Sequence, residues 1–177
     1  MRRRLLALSF ASALVFSNAV GAAAAAVPAY IGKHAATAQD RAAIGRVIAD
    51  FQLAIKNKDV KLLSTLVLHS NIPFSAPASP DTIGKVRAKY DVSFDGIRGG
   101  GFTEFCRFIF DAKEQMEEKF YNVNITQDGH VAWVMFDYEF ISNGKTSNYG
   151  VESWQMTQNA EGRWKIASVM WTANYLD

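Results

Sequence analysis

The chain has 177 residues, of which 49% are hydrophobic, 20% charged and 12% aromatic. That composition excludes a disordered, collagen-like or disulfide-stapled protein. The formal charge of +2 includes Arg2, Arg3 and Arg4; without them the 19 basic residues fall one short of the 17 acidic ones. A near-neutral domain lacks the electrostatic footprint of nucleic-acid binding.

Residues 1–26 read as an export signal: a basic start, a mostly apolar stretch over residues 5–20, and small residues up to Ala26. The apolar stretch is short for a membrane span and carries Ser9, Ser12, Ser17 and Asn18. Cleavage is expected after Ala24, Ala25 or Ala26, by the general or the twin-arginine route. The mature protein is then periplasmic or secreted, with no stable membrane anchor. Residues 27–36 read as a flexible leader. Residues 37–177 form one domain, at roughly 140 residues long enough to bury its own core. Cys106 is the only cysteine, so no internal disulfide exists. It lies among phenylalanines and reads as a packed thiol.

Residues 37–57 predict the first helix, with Thr37 as its cap and Ile44, Val47, Ile48, Phe51 and Ile55 as an apolar stripe. Asp59 caps a shorter helix that turns Leu62, Leu63, Leu66 and Val67 inward. Pro73, Pro77 and Pro80 leave room for one short strand around residues 68–74. A short helix is expected over residues 81–90, a glycine-rich loop over 95–101, and a phenylalanine-rich helix over 102–115. Four strands follow, at about residues 117–127, 130–142, 145–158 and 163–173. Asp128 with Gly129 and Asn143 with Gly144 read as two-residue hairpin turns. Helices followed by an antiparallel meander indicate an α+β fold.

Counting outward from Ser142 paired with Lys145 assigns faces. Asp137 falls opposite Gly150, Met135 opposite Glu152, and Trp133 opposite Trp154. One face then holds Trp133, Met135, Asp137, Glu152, Trp154, Val169 and Trp171. The other holds Val134, Phe136, Tyr138, Tyr149, Val151 and Met170. Neither is a solvated surface, so one takes the helices and the other takes a second copy of the chain, making a homodimer with Phe136, Tyr138, Tyr149 and Met170 near the contact. A slip of one residue would exchange every assignment.

The order of helix, short helix, broken strand, helix and long meander resembles the nuclear transport factor 2-like superfamily, which includes ketosteroid isomerase and the SnoaL-like proteins. The closing strand Gly162-Arg163-Trp164-Lys165-Ile166, running on to Met170-Trp171-Thr172, is similar to the ending of many SnoaL-like members. The resemblance implies a cone-shaped, curved antiparallel sheet wrapped around N-terminal helices, also called cystatin-like, with a pocket between them. Trp171 and Thr172 stand where the isomerases carry a pocket tryptophan and a serine. The isomerase chemistry does not carry over. Its oxyanion-donating tyrosine corresponds to Phe51, its aspartate base falls near Ser75, and its protonated aspartate falls near Trp154.

The candidate ligand-binding residues are therefore Phe51, Trp133, Met135, Asp137, Glu152, Trp154 and Trp171, with Val47, Phe51 and Phe105 closing the other side. Asp137 and Glu152 read as a diagonal pair on one face, about 7–8 Å apart by ladder geometry. In an apolar setting such a pair keeps a proton and acts as acid or base; held by ion pairs from the helical half, it is structural. His34, His69 and His130 are scattered without metal-binding spacing, so neither a metal nor another cofactor is expected. Three functional readings stand: a pocket that binds a small organic ligand without catalysis, an isomerase-type or SnoaL-type enzyme using Asp137 or Glu152, and a structural dimer module with a filled pocket.

Overall fold

The computed structural model describes residues 26–32 and 34–176. The expected export signal lies outside them apart from Ala26. Residues 26–32 are exposed and carry one turn, closed by the Ile31 N–H on the Pro28 carbonyl at 3.0 Å.

Helix α1 is Ala38–Asn57, and Thr37 caps it by accepting the Asp40 N–H at 3.0 Å. Its buried stripe is Ile44, Ile48, Phe51 and Ile55 with Ala54, the spacing of three and four that one helix face requires. Lys58 ends it in the left-handed region, φ 52°, and its ammonium donates to the Ala112 carbonyl. Helix α2, Val60–Leu66, begins where Asp59 accepts the Leu62 N–H at 2.8 Å, and it buries Leu63 and Leu66. Helix α3, Pro80–Lys89, is capped by Ser79 and buries none of its residues. Helix α4, Phe102–Phe110, buries Phe102 and Ile109.

The strands are β1 (Pro73–Pro77), β2 (Ile97–Gly101), β3 (Met116–Asp128), β4 (Val131–Ser142), β5 (Lys145–Gln158), β6 (Trp164–Trp171) and β7 (Asn174–Tyr175). They form one sheet in the order β2-β1-β6-β5-β4-β3, with β7 paired to β5. All pairings are antiparallel except β1 with β6. The result is an α+β fold with α1, α2 and α4 packed on a curved sheet.

Four expectations about the elements need correction. The first strand runs Pro73–Pro77, later than residues 68–74, so its prolines stand at its two ends. There they remove no interior ladder bond. The expected glycine-rich loop is mostly strand β2, paired along its length with β1. The phenylalanine-rich helix stops at Phe110 because the next residues are drawn to the β4–β5 turn: Gln115 donates its N–H to Asn143 Oδ1 at 3.0 Å and accepts the Asn143 N–H at 2.8 Å. Asn143 and Gly144 form the expected turn, with φ 49° and 78°. The preceding turn sits one residue later than expected, on Gly129 and His130, between the paired Asp128 and Val131.

Register decides the site. Ser142 pairs with Lys145 as counted, but Phe140 then pairs with Asn148, leaving Ser147 as an extra residue in β5. This bulge shifts β5 by one residue against β4. Glu152 faces Phe136 and Trp154 faces Val134. A second irregularity, at Ala167, places both Val169 and Ile166 on the inner face. The helix-bearing face of β4 and β5 thus carries Phe136, Tyr138, Phe140, Glu152 and Trp154. Trp133, Met135 and Asp137 lie on the opposite face. Phe136 and Tyr138 are buried in the core rather than at a subunit contact.

Two polar devices tie the ends of this fold to its sheet. Asp40 accepts from Thr37 Oγ1 (2.7 Å), Gln127 Nε2 (2.7 Å), Trp164 Nε1 (2.9 Å) and Gln158 Nε2 (3.2 Å), joining α1 to β3, β6 and β5. These bonds, the one from Gln127 foremost, hold its carboxyl below the ordinary range. At the other end, Gly150 lets Thr172 cross closely: a Cβ there would lie 2.2 Å from the Thr172 carbonyl oxygen. That oxygen accepts the Tyr138 hydroxyl at 2.8 Å.

Asp40→Ala is expected to lower the melting temperature at neutral pH by roughly 5 °C, through lost charge-assisted hydrogen bonds. Because its folded pKa is depressed, its contribution is present above the ordinary carboxylate value and disappears as pH falls through the folded one, so the deficit narrows below about pH 4. Melts of both proteins across pH check this. Gly150→Ala is expected to lower the melting temperature by roughly 5 °C or more, because the atom it would strike is backbone and cannot swing aside.

Candidate functional site

Between the inner sheet face and helices α1 and α4 lies a cavity of about 160 Å³. Phe51 from α1 and Phe105 and Phe108 from α4 form its helical side, with Phe74 of β1 beside them. Phe105 stacks on both Phe51 and Phe74, with centroids 6.0 and 4.8 Å apart. The sheet supplies Tyr138, Phe140, Val169 and Trp171, and Tyr175 of β7 stands at one side. Alternation along β4 produces this wall: every second residue from Ala132 to Phe140 is buried.

Two acids enter this apolar space. Glu152 is 4% exposed, and its Oε1 accepts the Trp154 indole N–H at 2.6 Å. Burial pushes its carboxyl up to about 8 against the pull of that bond. Glu118 of β3 is 5% exposed, and its Oε2 has no hydrogen-bond partner. Burial raises it well above the ordinary range, and the charge of Glu152 adds to the effect. Tyr138 lies between them on β4, hydrogen-bonded to Asn148 Oδ1 (2.9 Å) and the Thr172 carbonyl (2.8 Å). Burial raises its phenol, as do the two acids. No lysine, arginine or histidine stands among the described residues lining the cavity. Uptake and release of protons by two buried carboxyls that feel each other's charge is the available chemistry.

Of the residues singled out from sequence, Phe51, Glu152 and Trp171 line this cavity, as does Phe105. Trp154 is fully buried beneath it, 4.9 Å from Phe51. Val47 packs against the core and borders a separate groove beside Asp40. Trp133 and Met135 are 45% and 53% exposed on the opposite face. Asp137 is exposed there too, accepting from Asn122 Nδ2 at 2.6 Å. The expected pair of Asp137 and Glu152 is therefore replaced by Glu118 and Glu152, since the Ser147 bulge puts Asp137 across the sheet. Glu118 was legible in principle: it alternates with the apolar Met116 and Phe120, which fixes its face by the period of two. Cys106 is partly buried, and burial pushes its thiol up to about 11, which suits packing rather than nucleophilic attack.

No protein-family model matches the sequence, and no curated protein is significantly similar to it. Solved structures do match in fold. A nuclear transport factor 2-like protein of unknown function from Pseudomonas putida superposes with a TM-score of 0.59 at 10% identity, covering 80% of this chain and 92% of its own. A nuclear transport factor 2-like superfamily protein from Salmonella enterica gives 0.56 at 18% identity, covering 80% and 95%. A protein of unknown function with a cystatin-like fold from Nostoc punctiforme gives 0.56 at 14% identity, covering 78% and 93%. At these identities the likeness is one of fold, and the chain has the nuclear transport factor 2-like, or cystatin-like, fold.

Proposed function

We propose that this is an exported protein whose cavity binds one small organic ligand without turning it over. The observation that carries this reading is the cavity itself, an aromatic-walled space entered by two buried carboxyls and hemmed in by α1, α4 and the sheet. Ligand sites are apolar clefts with a few placed polar groups. The Tyr138 hydroxyl is already engaged by Asn148 and Thr172, so no free phenol is left to polarise a substrate. The basic start and small-residue exit of residues 1–26 support export. Native mass spectrometry of the purified protein is expected to show a retained small molecule. A protein without one, whose melting temperature no compound library shifts, would sink the reading in favour of a structural module.

A second reading is favoured by one feature. Glu152 holds a proton near neutral pH, so an isomerase-type or SnoaL-type acid–base role rests on Glu152, and no longer on Asp137. Conversion of the bound compound by the native protein, abolished in Glu152→Gln, would decide for it.

The buried acids have a consequence for stability. Unfolding releases their protons near the ordinary carboxylate pKa, about 4.3, whereas the folded state keeps them to a higher pH. Stability of the empty protein is therefore full below that value and declines as pH rises towards 8, the value to which Glu152 is raised. Glu152→Gln is expected to flatten this decline and raise the melting temperature at pH 8. A flat profile for the native protein would contradict the burial of the pair.

For the opposite face we propose a second copy of this chain. Trp133, Met135, Tyr149, Val151 and Met170 are all more than 40% exposed there, and exposed apolar residues grouped on one face mark a surface for protein contact. Sedimentation is expected to show a dimer that Met170→Glu or Trp133→Glu dissociates. A native monomer at high micromolar concentration would refute it.

A further inference from the structure

We propose that the cavity takes a small organic cation, a quaternary or protonated amine, with its charge beside Glu118 and Glu152 and its carbon against the aromatic walls. This rests on the ligand-binding reading above and names the ligand class. Four observations converge. First, both carboxylates are more than nine-tenths buried, and one oxygen, Glu118 Oε2, has no partner. A buried carboxylate oxygen without a donor is a strongly unfavourable state, and a cationic ligand relieves it. Second, among the described residues lining the cavity none supplies that positive charge. β3 and β5 bring the two acids, β4 and β7 bring only the phenols of Tyr138 and Tyr175 as titratable groups, and α1 and α4 bring phenylalanines. Third, ring faces carry negative potential and attract cations, including quaternary ammonium groups that donate no hydrogen bond. Phe51, Phe105, Phe108, Phe140 and Trp171 present such rings around the acids. Fourth, a groove that shares Phe74, Phe105, Phe108 and Trp171 with the cavity carries the exposed carboxylate of Glu104, one oxygen of which accepts the Gly101 N–H at 2.9 Å.

The alternatives fit less well. An anion would meet two acids and no cation. A neutral ligand could pair Glu118 Oε2 through a donor but would leave the charge of the ionised acids unbalanced. The volume, about 160 Å³, lies below the ~300 Å³ at which clefts for larger ligands begin, so the cation is a small one.

A permanent cation favours the ionised acids, so its binding expels protons and tightens as pH rises. The test uses choline, tetramethylammonium and benzyltrimethylammonium. Beside them stand two controls shaped like choline: the neutral alcohol in which a tert-butyl group replaces the trimethylammonium, and the tert-butylacetate anion. Titration calorimetry on the purified protein at about pH 8 is expected to show at least one cation binding about tenfold or more tighter than the neutral alcohol, with no binding of the anion. Its affinity is expected to rise several-fold from about pH 6 to about pH 8. Glu118→Gln and Glu152→Gln, each checked for folding by circular dichroism, are expected to weaken the cation by about tenfold and the neutral alcohol by no more than about threefold.

Equal or tighter binding of the alcohol overturns the proposal, as does failure of all three cations to bind at about 10 mM. In that event the two readings separate. A neutral molecule retained in native mass spectra, or binding of the alcohol alone, leaves the ligand cavity standing and removes only the cation. No retained molecule and no bound probe removes both.

Discussion

One extra residue governs the inside and the outside of this protein. Ser147 has no partner on β4, and its hydroxyl donates to the Phe140 carbonyl at 3.1 Å while its own carbonyl accepts the Leu176 N–H at 3.3 Å. Side chains on a strand alternate, so an insertion of one exchanges the faces of all residues beyond it relative to the neighbouring strand. Because of it Glu152 and Trp154 share a face with Phe136 and Tyr138, and the cavity has an acid on β5. Without it Glu152 would sit beside Asp137, and Phe136 and Tyr138 would point away from Trp154. The bulge also helps receive the end of the chain, because β7 pairs with Asn148 and Tyr149, next to Ser147.

Much of the fold was legible because it rests on local rules. Thr37 and Asp59 announce helix starts by side-chain acceptance, and both do so here. Asn143 and Gly144 announce a hairpin because few other pairs adopt positive φ in succession. The long strands follow from apolar runs punctuated by such turns. The site was less legible, for a physical reason. Register is cumulative, and an uninterrupted count from the Asn143 turn carries its error across the whole sheet. Neither Ser147 nor Ala167 has the glycine or proline signature that would mark an irregularity. Phe51, Phe105 and Trp171 were found because their assignment came from helix periodicity or from the resemblance of the closing strand. Trp133, Met135 and Asp137 were misplaced because theirs came from counting alone. The break between strand and loop at β2 was hidden by composition, since Arg98 to Gly101 offers no β-propensity and pairs only because β1 lies beside it.

Among the described residues, the two buried acids are a place where the sequence works against its own fold. Elsewhere, the polar groups at its ends are well matched: Asp40 has four side-chain donors, and Gln127 at its side is bonded on both amide atoms. Against that background Glu118 stands out, with an oxygen left unpaired in a wall of phenylalanine and tryptophan. Replacing such an acid by an apolar residue of similar size is often neutral or stabilising. Local violations of otherwise consistent design concentrate at functional sites, so the pair marks the cavity as a site more strongly than the cavity's volume does.

The surroundings of the pair also constrain what it can do. Trp154 fixes one oxygen of Glu152 from below, and Tyr138 is fixed between Asn148 and the Thr172 carbonyl, which reaches it only because position 150 lacks a side chain. These bonds hold the rim of the cavity in one arrangement before any ligand arrives. Preorganisation of this kind reduces the entropy lost on binding. It also directs the phenol toward the protein, leaving the two carboxyls as the cavity's adjustable polar groups. What varies with pH and with ligand charge is thus the number of protons held between β3 and β5, while the frame around them stays fixed.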